Sequence, residues 1–305
     1  MSHSIVKIAV IGDIHDLWEL EDNAALEHLE VDLALFVGDY GNEAVEVVRR
    51  IAAVEVPKAA VMGNHDAYYS ASAKGVQNCP YDREKEDWVQ LQMDLLGEAH
   101  IGFGKREFPQ FGLTVVGGRP FSWGGSKWRY RKFYRDRFDI NSFDESLDLI
   151  LAAADEAEHS TIIFVGHVGP YGLGDRPGDP CGKDWGKNGG DYGDPDFADA
   201  IALTQAAGKQ VPLVTFGHMH HQLKNSDQLR TRVASDTKGT IYFNAANVPR
   251  IEATSGGERR SFSLVTLNQG TVESINLVWV DSSFTQVSQE QLYARTSTVV
   301  SSSAE

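Results

Sequence analysis

The chain has 305 residues, of which 42% are hydrophobic and 23% charged, and its mean hydropathy is -0.30. This composition excludes the fibrous, disordered and membrane-spanning classes and predicts a folded protein with one large or two small domains. The formal net charge is -15, and a surface of that sign repels nucleic acid and anionic lipid unless a basic patch or a bound metal reverses it locally. Long nucleic acids and membrane surfaces are therefore not expected as partners.

Cysteine usage and the N-terminus bear on the compartment. Cys79 and Cys181 are too few for a disulfide framework or for a zinc site built from thiolates alone, so we expect a reducing, cytoplasmic setting. The first apolar run meets Asp13 without a small-residue cleavage site, which predicts a strand rather than a signal peptide. No later stretch reaches the roughly 18 apolar residues of a membrane span.

The first third of the chain repeats one pattern three times: a short apolar run, a glycine-containing polar cluster and a helical stretch. The runs read VKIAVIGDIHD, DLALFVGDYG and PKAAVMGNHD, and they precede helices predicted near residues 17–29, 42–53 and 83–96. Such repeats predict βαβ crossovers and a mainly parallel sheet. Ligands of such sheets bind beyond the carboxyl ends of the strands, where each polar cluster lies.

The remaining elements are predicted from shorter signals. Strands are expected in LTVVGGRPF, STIIFVGH and VPLVTFGHMHH and near residues 240–246, 261–267 and 272–281, with helices near residues 143–157 and 196–207. Residues 284–305 lose the apolar pattern and end in serines, so we expect a polar tail there. The predicted organisation is one domain over residues 1–283 with insertions near residues 119–139 and 166–193.

The two insertions have distinct compositions. Between Trp123 and Asp139 the chain interleaves aromatic and basic residues, which fits either a surface that stacks a base or holds a nucleotide phosphate, or an insertion whose arginines pair with the acidic body. We favour the structural interpretation. Residues 166–193 form a glycine-rich loop long enough to border a binding site or to act as a lid. Arg119 can reach a substrate phosphate, but a surface salt bridge is the favoured interpretation.

Five polar clusters stand at predicted strand ends and place oxygen or imidazole side chains next to glycine. They are GDIHD with Asp13 and His15, GDYG with Asp39, GNHD with Asn64, His65 and Asp66, GH with His167, and GHMH with His218 and His220. In D-x-H and H-x-H the two side chains point to the same side of an extended backbone and can converge. Carboxylate, amide and imidazole groups without thiolate are typical ligands of Mn²⁺, Fe²⁺, Zn²⁺ or Co²⁺.

With these motifs in this order, the chain resembles the calcineurin-like metallophosphoesterases over roughly residues 5–247. The resemblance implies an α/β fold, a four-layer αββα sandwich in which two mixed β-sheets pack face to face between helices. It also implies a centre of two divalent metal ions, with manganese or iron favoured over zinc or cobalt. By resemblance the first metal binds Asp13, His15 and His220, the second binds Asn64, His167 and His218, and Asp39 bridges both.

The resemblance further implies a mechanism in which a metal-bridging hydroxide attacks phosphorus in line with the leaving oxygen. His65 would then face the substrate and protonate or orient the leaving group. Asp66 is either the carboxylate that orients His65 or a helix N-cap. His221, which follows His220 directly, points away by alternation and is not expected to bind metal.

The resulting prediction is a metal-dependent hydrolase of a small phosphodiester, with a cyclic nucleotide as one candidate, because the GNHD and GHMH forms resemble the small phosphodiesterase branch. A phosphomonoesterase and a nucleotide pyrophosphatase are alternatives within the enzyme class. A non-catalytic binding module with the same fold is the alternative from another class. A nuclease would need the basic stretch to line the site. The sequence leaves the substrate, the native metal pair and the oligomeric state open.

Overall fold

The computed structural model describes residues 5–187, 189–224 and 226–296. Its strands are β1 Ile5–Ile11, β2 Leu33–Phe36, β3 Lys58–Ala60, β4 Lys105–Phe108, β5 Leu113–Gly117, β6 Thr161–Val165, β7 Gln210–Phe216, β8 Val233–Ser235, β9 Ile241–Asn244, β10 Ile251–Thr254, β11 Gly257–Asn268, β12 Thr271–Asp281 and β13 Gln286–Ala294. Its α-helices are α1 Leu20–His28, α2 Val45–Ala52, α3 Tyr68–Ala71, α4 Ala73–Gln77, α5 Trp88–Leu96, α6 Arg131–Phe138, α7 Phe143–Asp155 and α8 Pro195–Ala206.

The strands form two mixed sheets. The first has the strand order β13-β12-β11-β1-β2-β3, with β10 paired to β11, and its β1, β2 and β3 run parallel. The second has the order β4-β5-β6-β7-β9-β8, with β5, β6, β7 and β9 parallel. The parallel strands of both sheets point their carboxyl ends toward the polar motifs, as the repeated strand and helix pattern predicts.

Apolar side chains alternate along the central strands and divide the core into layers. In β1, Val6, Ile8 and Val10 belong to the cluster between the two sheets, whereas Ala9 and Ile11 pack on the side of α1, α2 and α5. A third buried cluster lies between the outer face of the second sheet and helices α7 and α8. The order of layers is therefore helix, sheet, sheet, helix, and the predicted αββα fold class is confirmed.

The C-terminal segment differs from the predicted tail. Residues 286–294 form β13, which pairs antiparallel with β12 at the edge of the first sheet. Most side chains of β13 are exposed, and Leu292 and Tyr293 pack against the core between the sheets. Backbone hydrogen bonds to β12 hold this edge strand, so it needs no continuous apolar pattern. The last nine residues of the predicted tail, 297–305, lie outside the described residues, and the boundary of the single domain stays a prediction.

The two insertions lie over the carboxyl ends of the second sheet's strands. Residues 119–139 include the short helix α6, while residues 166–187 and 189–193 are held largely by turns and isolated bridges, such as Gly182 with Asp191. None of the described helices is long and apolar enough to cross a membrane.

Candidate metal centre

The strand ends bring the five predicted motifs to one place. Three overlapping groups of side chains have ligand atoms within 4.8 Å of one another: Asp13 with His15 and His220, His15 with Asp39 and His65, and Asp39 with His167 and His218. We call the seven side chains predicted to bind metal the ligand cluster: Asp13, His15, Asp39, Asn64, His167, His218 and His220. The first four follow strands of the first sheet, and the three others follow β6 and β7 of the second sheet.

One half of the ligand cluster gathers two imidazoles and a carboxylate. His15 Nε2 lies 3.1 Å from His220 Nε2, and Asp13 Oδ1 lies 3.4 Å from His220 Nε2 and 4.0 Å from His15 Nε2. Asp13 is buried, whereas His15 and His220 are partly exposed. Nitrogen and oxygen donors that converge in this way fit a borderline divalent cation.

The other half centres on His167, which is fully buried. Its Nδ1 donates to the Val37 carbonyl oxygen at 2.8 Å, so in the neutral ring Nε2 carries a lone pair. That Nε2 lies 3.0 Å from Asn64 Oδ1, 3.3 Å from Asp39 Oδ1 and 3.2 Å from His218 Nδ1. Several acceptor atoms therefore meet at one buried point, which is an arrangement that a cation stabilises.

The electrostatics of this half also favour positive charge. Burial works against a charged His167, but the adjacent Asp39 carboxylate outweighs burial and raises the pKa of His167 to about 9. Burial, together with the charge of His167, lowers the pKa of His218 to about 3. The chain thus supports one positive charge beside Asp39, and the donor set fits a metal ion in that role.

Backbone geometry holds the two aspartates of the ligand cluster. Asp13 accepts from the backbone N–H of His218, at 3.1 Å for Oδ1 and 2.9 Å for Oδ2, and Asp39 Oδ1 accepts from the N–H of His65 at 2.8 Å. The glycines of the motifs permit this proximity: a Cβ on Gly217 would lie 2.2 Å from Asp13 Oδ2, and one on Gly63 would lie 2.3 Å from Asp39 Oδ1.

Asp66 has a role different from either of the two predicted ones. Its carboxylate is buried and accepts three backbone N–H groups, from Gly63 at 2.6 Å, Asp39 at 3.0 Å and Tyr40 at 2.8 Å. These bonds fasten the loop after β2 to the loop after β3. The expectation that Asp66 orients the His65 ring or caps a helix is therefore wrong, because its oxygens are engaged by the backbone of two strand-end loops.

The group that orients His65 is Asn42, which the sequence analysis missed. His65 Nδ1 donates to Asn42 Oδ1 at 2.7 Å, and the His65 ring lies edge to face with His15 at a centroid distance of 5.0 Å. Asn42 stands three residues after Asp39 in GDYGN, so the signal was its position in a strand-end motif. An asparagine in a turn is common enough that this signal alone does not identify it.

A cavity of about 400 Å³ opens beside the ligand cluster, and His65 is part of its lining. Three aromatic residues from the insertions line it: Trp123, Trp185 and Tyr192, which we call the aromatic wall. The exposed side chains of Arg129 and Lys224 also border it.

The basic stretch is therefore divided. Its first part contributes Trp123 and Arg129 to the cavity, whereas Arg137 on α6 pairs with Asp87 at 2.7 Å, as the favoured structural interpretation requires. The glycine-rich loop borders the site, as predicted, through Trp185 and Tyr192.

Two arginines hold the insertions in place. Arg119 is buried, with its Nη2 2.6 Å from Asp194 Oδ1 and its Nε 2.8 Å from Asp196 Oδ2, so the predicted surface salt bridge is instead an interior one. Arg230 donates through Nη1 to the carbonyls of three loop residues and through Nε to the carbonyl of His220 at 3.0 Å. The three loop residues are Pro177, Asp179 and Gly182.

Comparison with known proteins gives a family match and fold similarity. The sequence model of the family described as calcineurin-like phosphoesterase matches residues 6–222. None of the curated proteins compared with the chain matches it.

Several solved structures resemble the chain at low identity. One aligns with a TM-score of 0.50 and 13% identity, covering 95% of this chain and 100% of its own. TT1561 of Thermus thermophilus aligns with a TM-score of 0.49 and 12% identity over 95% of this chain and 100% of its own. A dimetal phosphatase from Danio rerio aligns with a TM-score of 0.47 and 13% identity over 96% of this chain and 100% of its own. At 13% identity, the alignment with the TM-score of 0.50 indicates a shared fold alone.

Proposed function

The chain belongs to the calcineurin-like phosphoesterase family, and from this premise we propose that it is a metal-dependent hydrolase of a small phosphodiester. The observation that carries the proposal is the convergence of carboxylate, amide and imidazole donors at the ends of five strands. This donor set suits Mn²⁺, Fe²⁺, Zn²⁺ or Co²⁺, and the resemblance to the family favours manganese or iron among them.

We assign the ligand cluster to two cations. The first would be held by Asp13, His15 and His220, the second by Asn64, His167 and His218, with Asp39 shared between them. When bound, two such cations polarise phosphoryl oxygens and lower the pKa of coordinated water. The neutral amide of Asn64 adds an oxygen donor without cancelling the positive charge that stabilises the transition state.

His65 is the residue proposed to move a proton. It borders the cavity, and the bond from its Nδ1 to Asn42 fixes the ring, so Nε2 is the nitrogen that carries a proton to the leaving oxygen. Asn42 acts through His65 and is therefore a positioning residue. Asp66 supports the same site from behind by holding the backbone of Asp39.

The volume of the cavity and the net charge of the chain favour a small substrate. A cavity of about 400 Å³ suits a small ester rather than a polymer, and the net charge of -15 disfavours long nucleic acids. The preference for a diester over a monoester or a pyrophosphate rests on the GNHD and GHMH forms of the motifs. A cytoplasmic setting stays a prediction from the two cysteines.

The test is a substrate panel run with defined metals. The purified protein is analysed for metal content and then assayed with an aryl phosphodiester, its monoester and a dinucleotide pyrophosphate, each with and without added Mn²⁺. We expect up to two metal ions per chain and fastest turnover of the diester. Faster turnover of the monoester or pyrophosphate would replace the diester proposal, and a metal content near zero without turnover would favour a binding module.

A further inference from the structure

The aromatic wall has no part in the proposed chemistry, yet it lies next to it. Trp123 and Tyr192 are partly exposed, and both rings lie 6.5 Å from the ring of His218, measured between centroids. The Tyr192 ring is nearly parallel to that of His218, at 7°. Trp185 extends the wall edge to face with Tyr192 at 4.9 Å. The aromatic wall therefore places flat apolar surface directly beside the ligand cluster.

The wall is held in place by contacts between the two insertions. Gly125 in the first insertion donates its N–H to the Tyr192 carbonyl at 2.8 Å, and Tyr192 donates its own N–H to the Cys181 carbonyl at 2.9 Å. The Tyr192 hydroxyl accepts from Arg129 at 3.0 Å. A Cβ on Gly124 would lie 2.3 Å from the Tyr192 carbonyl oxygen, so this approach of two chain segments requires glycine. The wall is thus formed before a ligand arrives.

The rim of the cavity carries positive charge in an otherwise acidic chain. Lys224 Nζ lies 5.4 Å from the Trp185 ring centroid, and Arg129 also lines the cavity. Asp184, next to Trp185 in the chain, accepts a hydrogen bond from the backbone N–H of Lys224 at 2.8 Å and forms an ion pair with Arg230 at 3.5 Å. The rim therefore favours entry of an anion.

We propose, on the basis of the proposed phosphoesterase function, that the aromatic wall selects phosphoesters whose organic group carries a flat aromatic ring. Trp123, Trp185 and Tyr192 are then specificity-determining residues. A phosphate at the ligand cluster places a directly attached aryl group, or a heterocycle on a short linker, against these rings. Aromatic side chains can stack on any flat aromatic ring, and this stacking is strong enough to set selectivity.

Binding of phosphonates separates ring recognition from leaving-group reactivity, because a carbon–phosphorus bond is not hydrolysed. Phenylphosphonate and cyclohexylphosphonate share a headgroup and ring size but differ in flatness and π-electrons. Calorimetry on the Mn²⁺-loaded protein should give roughly tenfold tighter binding of phenylphosphonate. Quenching of tryptophan fluorescence should accompany it. A nucleoside methylenephosphonate then distinguishes the two sources of ring: tighter binding than phenylphosphonate indicates a base on a linker, and weaker binding indicates a simple aryl group.

Variants test whether the wall causes the preference. Trp123→Leu and Trp185→Leu should each reduce the ratio of the two dissociation constants to below about threefold, with cyclohexylphosphonate binding unchanged. Trp279→Leu, on β12 and outside the cavity lining, should keep the wild-type ratio. The melting temperature of each variant reports whether it folds.

Two results would overturn the proposal: equal affinities for the two phosphonates, or a preference for phenylphosphonate that survives in both cavity variants. If the protein hydrolyses phosphoesters with Mn²⁺ but shows either result, the proposed function stands and the selectivity proposal fails. If it binds no phosphonate and hydrolyses no ester, both fail.

Discussion

The ligand cluster and the aromatic wall border the same cavity but are built by different means. Members of the cluster follow strands directly, and their carboxylates are fixed by backbone N–H groups such as that of His218. The wall stands on two insertions that hold each other by loop contacts such as Gly125 to Tyr192. The sheets therefore determine the position of the proposed chemistry, whereas loop packing determines the proposed selectivity. Substitutions should be able to affect one without the other.

Removing a charge from the centre of the cluster should have the largest effect. In Asp39→Asn, the shared carboxylate is lost while its shape is kept, so we expect Mn²⁺ binding to weaken and turnover to fall on the order of a thousandfold. Metal analysis and turnover of the preferred ester measure both. Asp199→Asn, at an exposed position on α8, is the matched control. An Asp39→Asn protein with wild-type turnover would remove the catalytic role from the cluster.

Removing the Asp66 carboxylate, which holds the backbone behind the ligand cluster, should have the second largest effect. Asp66→Ala leaves three buried backbone N–H groups without their acceptor, and we expect a loss of roughly 3 kcal/mol in the free energy of unfolding. Asp66→Asn keeps one acceptor oxygen and should lose less. Denaturant unfolding of both variants measures the difference. An Asp66→Ala protein as stable as the wild type would show that these loops do not depend on the carboxylate.

A third prediction concerns Asn42, which positions the His65 ring between the ligand cluster and the cavity. Asn42→Ala frees the His65 ring, so we expect turnover to fall about tenfold for an ester with an alkyl leaving group, which needs a proton. An ester with a nitrophenyl leaving group, which needs none, should be hydrolysed at nearly the wild-type rate, with Mn²⁺ binding unchanged. Asn141→Ala, at an exposed position before α7, is the control. Equal losses for both esters would argue for a general disturbance instead.

The smallest effect concerns stability outside both regions. Burial lowers the pKa of His100 to about 4, and its Nε2 has no hydrogen-bond partner among the described residues. The unfolded chain takes up this proton near pH 6.5, so stability is present above that pH and is lost as the pH falls toward 4. The contribution of His100 to the free energy of unfolding changes by at most about 1.4 kcal/mol per pH unit. His100→Gln should weaken the dependence of the free energy of unfolding on pH over this window, and denaturant unfolding at several pH values measures it.

The same contrast explains what the sequence could predict. Strand ends bring their motifs together because parallel strands share an edge, so Asp13, Asp39 and His167 could be grouped from the motifs alone. Trp185 could not be placed, because a long glycine-rich loop has no periodicity that fixes the direction of a side chain. β13 was missed for a related reason: pairing through the backbone leaves little trace in the side chains of an edge strand.

Asp66 and Asn42 show a further limit. Asp66 lies in the predicted GNHD motif and Asn42 directly follows GDYG, but their roles depend on contacts between loops separated by more than twenty residues, as in the bond from Tyr40 to Asp66. Spacing indicates which strand end a residue occupies. It does not indicate whether its oxygen atoms meet a backbone N–H or an imidazole.

Four members of the ligand cluster are held in the left-handed region of the backbone, with φ of 52° at Asp13, 45° at His15, 57° at Asp39 and 67° at His218. A residue with a Cβ has a cost of roughly 1 kcal/mol or more in that conformation, and glycine avoids it. The backbone conformation at these proposed metal ligands therefore lowers the stability of the fold. His218→Gly should be more stable than His218→Ala by about 1 kcal/mol although both lack the imidazole, and selection for thermal stability alone would drive this position toward glycine.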